Sequence, residues 1–302
     1  MDKQNYNQEI SLEKNENNKR SLSGHNFTIR CIIKLNTTQI ATCSEDETIK
    51  IWNIEFFTCT NTLLGHSNTV NCIEKFGDDK IFSGSNDRTI KLWNYALGTC
   101  LKTLNGHFDN VLSVLQINEN LLMSASYDSS LKIWNIDTSN YIKTIKIHKG
   151  SVNCIIKLND NEIVSASDDK LIKIYNVNND HCTKTLNGHM YFATCVIKLN
   201  QNTLVSGGCD ALIKVWDVNS EECIMTLIGH KYLVNCLVKI NENLIISCSN
   251  DTNIKVWDLK ERSCLKTIVR HNGFVLTLLL FDENLLISGG EDKIIKIGDF
   301  EN

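Results

Sequence analysis

Seven histidines stand at a constant interval of 41 residues: His25, His66, His107, His148, His189, His230 and His271. Only His181 lies off this grid. Two further series keep step with them. One is Asp46, Asp87, Asp128, Asp169, Asp210, Asp251 and Asp292; the other is Trp52, Trp93, Trp134, Tyr175, Trp216, Trp257 and Gly298. A period held through seven copies without insertion or deletion describes one structural unit built seven times. It overrides the two domains that 302 residues would otherwise suggest, because stacked units share a continuous core. The repeats are assigned to 16–302, behind a short polar tail over 1–15.

The second unit shows how one copy is built. Segments 69–76, 81–85, 89–93 and 99–104 are short, rich in β-branched and apolar residues, and separated by Asn, Asp and Gly. Four such segments form a four-stranded antiparallel meander. No segment carries a 3.6-residue apolar period over helical length, so the fold class is all-β. A single sheet of this kind is apolar on both faces and cannot stand alone. Seven of them arranged radially bury those faces against each other. The ring then has one seam, where an open strand edge would invite aggregation. The segment around Lys19-Arg20-Ser21-Leu22 has fourth-strand character, and the last unit stops after its third strand, 294–297. The N-terminal strand is therefore expected to complete the last blade.

The net charge of −4 gives none of the basic footprint of a nucleic-acid binder. The longest uncharged apolar stretch, 274–281, is too short to span a bilayer, and the polar N-terminus has no apolar signal-peptide core. These features point to an intracellular protein, cytoplasmic or nuclear, without membrane insertion. Thirteen cysteines include no C-x-x-C pair. Most fall in two periodic series, Cys31, Cys72, Cys154, Cys195 and Cys236, and Cys59, Cys100, Cys182, Cys223 and Cys264. Members of a series belong to different units and are expected not to converge, so they read as small apolar fillers rather than a zinc site. No metal and no cofactor is expected. The lysine series Lys50, Lys91, Lys132, Lys173, Lys214, Lys255 and Lys296 reads as a solvated surface with stems lying along apolar neighbours.

These residues resemble the WD-repeat β-propeller family. Gly24-His25, Gly65-His66, Gly106-His107, Gly188-His189 and Gly229-His230 match the opening of its repeat. Trp216-Asp217 and Trp257-Asp258 match its end, with Trp52-Asn53, Trp93-Asn94 and Trp134-Asn135 as close variants. The resemblance implies a seven-bladed propeller in which the Asp, the His, a Ser or Thr and the Trp of each unit form a buried hydrogen-bonded set. The hydroxyls are Thr42, Ser83, Ser124, Ser165, Ser206, Ser247 and Ser288. Such a set makes physical sense, because a buried imidazole or carboxylate without partners is costly. It also displaces the reading of His66, Ser83 and Asp87 as a hydrolase triad: seven copies do not make one active site. Unit four departs from the pattern with Ile147 and Tyr175, and unit seven with Arg270 and Gly298. The closing blade, lacking an indole donor, is expected to be the least rigid.

The resemblance further implies that partners dock on the face carrying the histidine-side loops, around the central channel. The positions three and five residues after each His, and the residue before the turn Asp, would reach that face. Apolar residues crowd units five to seven: Phe192, Leu233, Phe274 and Leu276. Leu112 and Tyr127 stand apart from them in unit three. The acidic residues are Glu45, Asp168 and Glu291, and Arg30 is the base. The expected function is a non-catalytic scaffold or adaptor, monomeric within a complex, that binds a protein or peptide with an apolar anchor and a basic residue. A phosphopeptide would need an arginine cluster. A second class is the substrate receptor of a ubiquitin ligase, which Trp257-Asp258-Leu259-Lys260 fits loosely, although ordinary repeats also produce such a string. An enzyme has no supporting constellation.

Overall fold

A computed structural model describes residues 20–300. The expected tail over 1–15 and Lys19 lie outside the described residues. The described chain forms seven four-stranded antiparallel sheets. Six are built from consecutive strands. The second blade, for example, runs Val70–Phe76, Lys80–Ser85, Thr89–Asn94 and Thr99–Asn105. The first strand of each blade packs beside the first strands of both neighbours, which places the first strands around the axis.

The core is divided among the spaces between blades. Each apolar cluster draws on two neighbours; one joins Leu35, Ala41, Ile49, Ile51 and Leu63 to Val70, Ile73, Ile81, Trp93 and Tyr95. The second strand of a blade is buried on both faces, which explains its nearly continuous apolar and small-residue composition.

The seventh blade is closed as the sequence predicts. Arg20–Ser23 pairs antiparallel with Ile294–Asp299, with Leu22 opposite Ile295. Leu22 is buried with Ile287, Ile295 and Ile297 against Ile29, Ile40 and Trp52 of the first blade. The first and last described strands thus share one cluster, and the third strand of the seventh blade is paired on both edges.

The periodic polar residues form one brace per blade. In the second, His66 Nδ1 lies 2.6 Å from Asp87 Oδ2, and His66 Nε2 lies 2.7 Å from Ser83 Oγ. Trp93 Nε1 donates to the same Oγ at 2.8 Å. One hydroxyl therefore serves both the indole and the imidazole. The carboxylate can only accept, so the imidazole Nδ1–H donates to it. The other oxygen of Asp87 accepts from the backbone N–H and hydroxyl of Thr89. The Asp therefore ties the turn between the second and third strands to the loop entering the blade. That turn needs the tie, because its following residue has positive φ in all seven blades without being glycine, as at Arg88 (φ 70°) and Lys170 (φ 73°).

In the five indole-bearing blades the glycine before the histidine makes room for the indole. A Cβ on Gly24 would stand 3.1 Å from Trp52 Cη2, and one on Gly229 would stand 3.0 Å from the same atom of Trp257. Where the indole is absent, the position is filled. Ile147 packs against Tyr175 in the fourth blade. In the seventh, the Arg270 guanidinium occupies the space above Gly298 and donates to the Asp299 carbonyl at 3.0 Å. Tyr175 does not keep the polar tip in the brace: its hydroxyl donates to Asp180, and Ser165 meets His148 without an aromatic donor.

The lysine series requires a correction. Lys50, Lys91, Lys132, Lys214 and Lys255 each donate to an outer-strand threonine, and Lys132 is only 2% exposed. Each of these lysines stands directly opposite its threonine on the paired outer strand, so the ammonium groups are engaged and partly or fully buried on a blade face rather than spread over a solvated surface.

Burial alone would raise the seven Asp carboxyls. The histidine, hydroxyl and backbone hydrogen bonds outweigh it, and each carboxyl lies below its usual range. Burial lowers His25 and His230 despite their Asp partners. A depressed Asp contributes stability that is present above the unfolded value and lost as pH falls through the folded one. A depressed His acts in the same direction from its own unfolded value downward. The urea midpoint is therefore expected to hold near pH 8, decline below about pH 6.5 and fall more steeply below about pH 4. A midpoint that rises on acidification would contradict the brace chemistry.

Removing the central hydroxyl tests the brace directly. Ser83→Ala strands both the Trp93 indole and His66, and should cost about 3 kcal/mol; Ser165→Ala strands His148 but no indole, and should cost about 1.5 kcal/mol. Equal losses in urea titrations would show that the indole bond contributes nothing. For closure, deleting 1–23 should give a chain that associates in size-exclusion chromatography with light scattering. A monomer as stable as the full chain would refute the seam assignment.

Candidate interaction site at the channel mouth

The site is built by a β-bulge repeated seven times. In every blade the register between first and second strands slips around the fifth residue after the histidine, as between Val70 and Cys72 or Val275 and Thr277. A bulge leaves one residue out of the ladder and re-aims its side chain. These residues are Arg30, Asn71, Leu112, Asn153, Thr194, Asn235 and Leu276.

Four of them clamp the next blade. Asn71 Nδ2 donates to the Val111 carbonyl at 2.9 Å, Asn153 Nδ2 to Ala193 at 2.9 Å, and Asn235 Nδ2 to Val275 at 2.8 Å. The Thr194 hydroxyl donates to Val234. Leucine cannot do this. Where it occurs, the following residue is a hydroxyl instead of the usual cysteine. Ser113 Oγ accepts from Ile155 N at 3.3 Å, and Thr277 Oγ1 accepts from Ile32 N at 3.1 Å. The clamp moves by one residue, and Leu112 and Leu276 are left to present apolar surface at the mouth.

The bulge residues open onto a central cavity of about 800 Å³. Arg30, Glu45, Leu112, Asp168, Phe192, Leu233, Phe274, Leu276 and Glu291 all line it. Tyr127 is not among the lining residues, and is 53% exposed. Several of these groups are engaged. Arg30 lies 3.8 Å from Glu45, Asp168 accepts from Asn153, and Glu291 accepts the Phe274 N–H at 3.0 Å. Phe192 and Phe274 remain 46% and 43% exposed, with Leu233 and Leu276 half-buried.

Counting three and five residues from the histidine misses the residues immediately after it. Met190, Tyr191 and Tyr232 are exposed in the same loops as Phe192 and Leu233, and Phe27 and Phe108 are exposed in blades one and three. Their signal was aromatic or apolar character at loop positions that most units fill with polar residues. Two of these rings lie under the neighbouring blade's turn lysine: Tyr191 under Lys170 and Phe27 under Lys293, at 5.8 and 5.5 Å.

The first cysteine series also needs correction. Cys31, Cys72, Cys154, Cys195 and Cys236 do converge, because the strand that carries them is the innermost one; all five line the cavity wall. Among the described residues, no group of three or more His, Cys, Asp or Glu is placed to hold a metal ion. The His–Ser–Asp sets are closed to substrate: Ser83 and Ser206 are fully buried, and each hydroxyl holds an indole and an imidazole.

The model of the WD domain, G-beta repeat, matches the chain seven times, over residues 16–53, 57–94, 98–135, 139–176, 180–217, 221–258 and 262–299. The chain belongs to the WD40 family. Each matched WD40 unit begins with the outer strand of one blade and continues into the next, so the first match carries the strand that closes the ring. WD40 propellers are in general protein-interaction scaffolds and typically non-catalytic. No curated protein matches this WD40 chain. Among the described residues, no helix is long and apolar enough to cross a membrane. In Trp257-Asp258-Leu259-Lys260, Trp257 belongs to its blade's brace, Asp258 accepts the turn N–H groups of Lys260 and Glu261, and Leu259 is buried. The repeat itself therefore accounts for that string.

Proposed function

We propose that this WD40 propeller is a non-catalytic adaptor that seats an extended segment of a partner protein across the channel mouth, over blades five to seven. The asymmetry of the mouth carries this reading. Phe192, Leu233, Phe274 and Leu276 form an apolar arc, extended outward by Met190, Tyr191 and Tyr232. Exposed apolar surface gathered on one part of a polar rim is the usual mark of an interaction site. Its supports are clamped blade to blade, so little ordering remains to oppose binding. Three carboxylates, Glu45, Asp168 and Glu291, face one base, Arg30, around the same cavity. Glu291 lies beside Phe274, so an apolar anchor followed by a Lys or Arg fits this arc. A free cysteine at each of the thirteen positions accords with a reducing compartment, cytoplasmic or nuclear. We read the propeller as a single copy working within a larger complex.

The test uses a phage-displayed random peptide library panned against the propeller. Selected peptides should carry an aromatic or aliphatic anchor near a basic residue. Phe274→Ala/Leu276→Ala should weaken them by at least about 30-fold, as loss of a central anchor does. The variant's unfolding midpoint should confirm that it folds. Selected peptides that bind the folded variant unchanged would remove the site from this arc.

A further inference from the structure

Five cysteines reach the channel wall at the residue after the bulge. Each stands directly opposite one residue of the second strand. For Cys72, Cys154 and Cys195 that residue is Gly84, Ala166 and Gly207. For the other two it is a second cysteine: Cys31 pairs with Cys43, and Cys236 with Cys248. Directly opposed residues of an antiparallel pair have Cα atoms about 4.5 or 5.5 Å apart. Both spacings fall within the roughly 4.4–6.8 Å that a disulfide spans. The side chains share one face of the sheet. Within each pair the outer member is fully buried and the channel member is partly exposed.

We propose that Cys31–Cys43 and Cys236–Cys248 are two modification sites for hydroperoxides, each closing a cross-strand disulfide at the channel wall. The channel thiol reacts as its thiolate. Its sulfur attacks the peroxide O–O bond, gives a sulfenic acid and releases hydroxide. The buried thiol behind it then forms the S–S bond with that sulfur. The sulfenic oxygen leaves as water, taking the buried thiol's proton. The hydroxide takes up the proton that the channel thiol gave up, so two thiols and one hydrogen peroxide become one disulfide and two waters. The supporting electrostatics divide the wall in the same way. The hydrogen bond from Cys43 draws Cys31 below the usual thiol value against burial, and Cys248 does the same for Cys236. Burial instead pushes Cys154 up to about 11.

Cys154 is therefore the internal control, partly exposed on the same wall but facing an alanine. The folded, reduced protein is treated with hydrogen peroxide, quenched with N-ethylmaleimide under denaturing conditions, and mapped by tryptic mass spectrometry. Lys34 and Lys239 separate the members of each pair, so a bridge appears as a linked peptide. Both bridges should form, and Cys31 and Cys236 should lose their free thiol at least about tenfold faster than Cys154, since the thiolate is the reacting species. Cys43→Ala and Cys248→Ala place at each site the residue that the fold already carries as Ala125 and Ala166. In those variants the bridge should vanish and dimedone should trap Cys31 or Cys236 as the sulfenic acid. Oxidation of Cys31 and Cys236 no faster than Cys154, or bridges to other cysteines instead, would overturn the proposal.

Discussion

One buried hydroxyl per blade holds the molecule's working geometry. Ser83, like its counterparts in the other indole-bearing blades, receives the indole N–H of the third strand and hydrogen-bonds the imidazole of the entering loop. The imidazole passes the connection to an aspartate that caps the turn on the same face. Strand, loop and turn are thus coupled through one oxygen. The channel mouth is made only of such loops, turns and bulges, so its rigidity rests on a bond network lying beneath the surface. Specificity can then reside in a few exposed side chains whose replacement leaves the support untouched.

The same logic explains how the ring tolerates its irregular blades. Interior space in a protein is close-packed, and a lost indole leaves a volume that something must fill. In the fourth blade Ile147 and Tyr175 fill it together; in the seventh Arg270 does so with its guanidinium over Gly298. The interblade clamp shows a parallel exchange. Where asparagine gives way to leucine at the bulge, a hydroxyl one residue later takes over the hydrogen bond to the neighbour. Both exchanges preserve the disc and alter its surface, and the second releases the leucines that line the mouth.

Much of this was legible in the sequence because the period assigns every residue to a place in a blade. The four-strand order and the strand that closes the seam followed from spacing and residue type, and the braces from the resemblance to the WD-repeat family. Nine of the ten residues assigned to the mouth line the cavity. What a period does not carry is radial position. It gives Cys31 and Cys236 to different units, but not the fact that their strand is innermost, so their convergence was missed. It marks the lysines of the third strand, but not the outer-strand threonines that engage them. Tyr127 precedes the turn Asp as Glu45 and Asp168 do, yet is not among the cavity-lining residues. Tyr175 keeps its ring in register while its hydroxyl turns to a partner five residues on, a choice set by local geometry rather than by the repeat.

The central claim is that a rigid disc presents its specificity on one arc of one face. Amide hydrogen exchange of the propeller with and without a saturating selected peptide tests it most directly. The account predicts added protection confined to 190–195, 231–236 and 272–277, over turns already slow to exchange in the free protein. Added protection on the outer strands or on the opposite face, or free-protein turns exchanging as fast as an unstructured peptide, would contradict it.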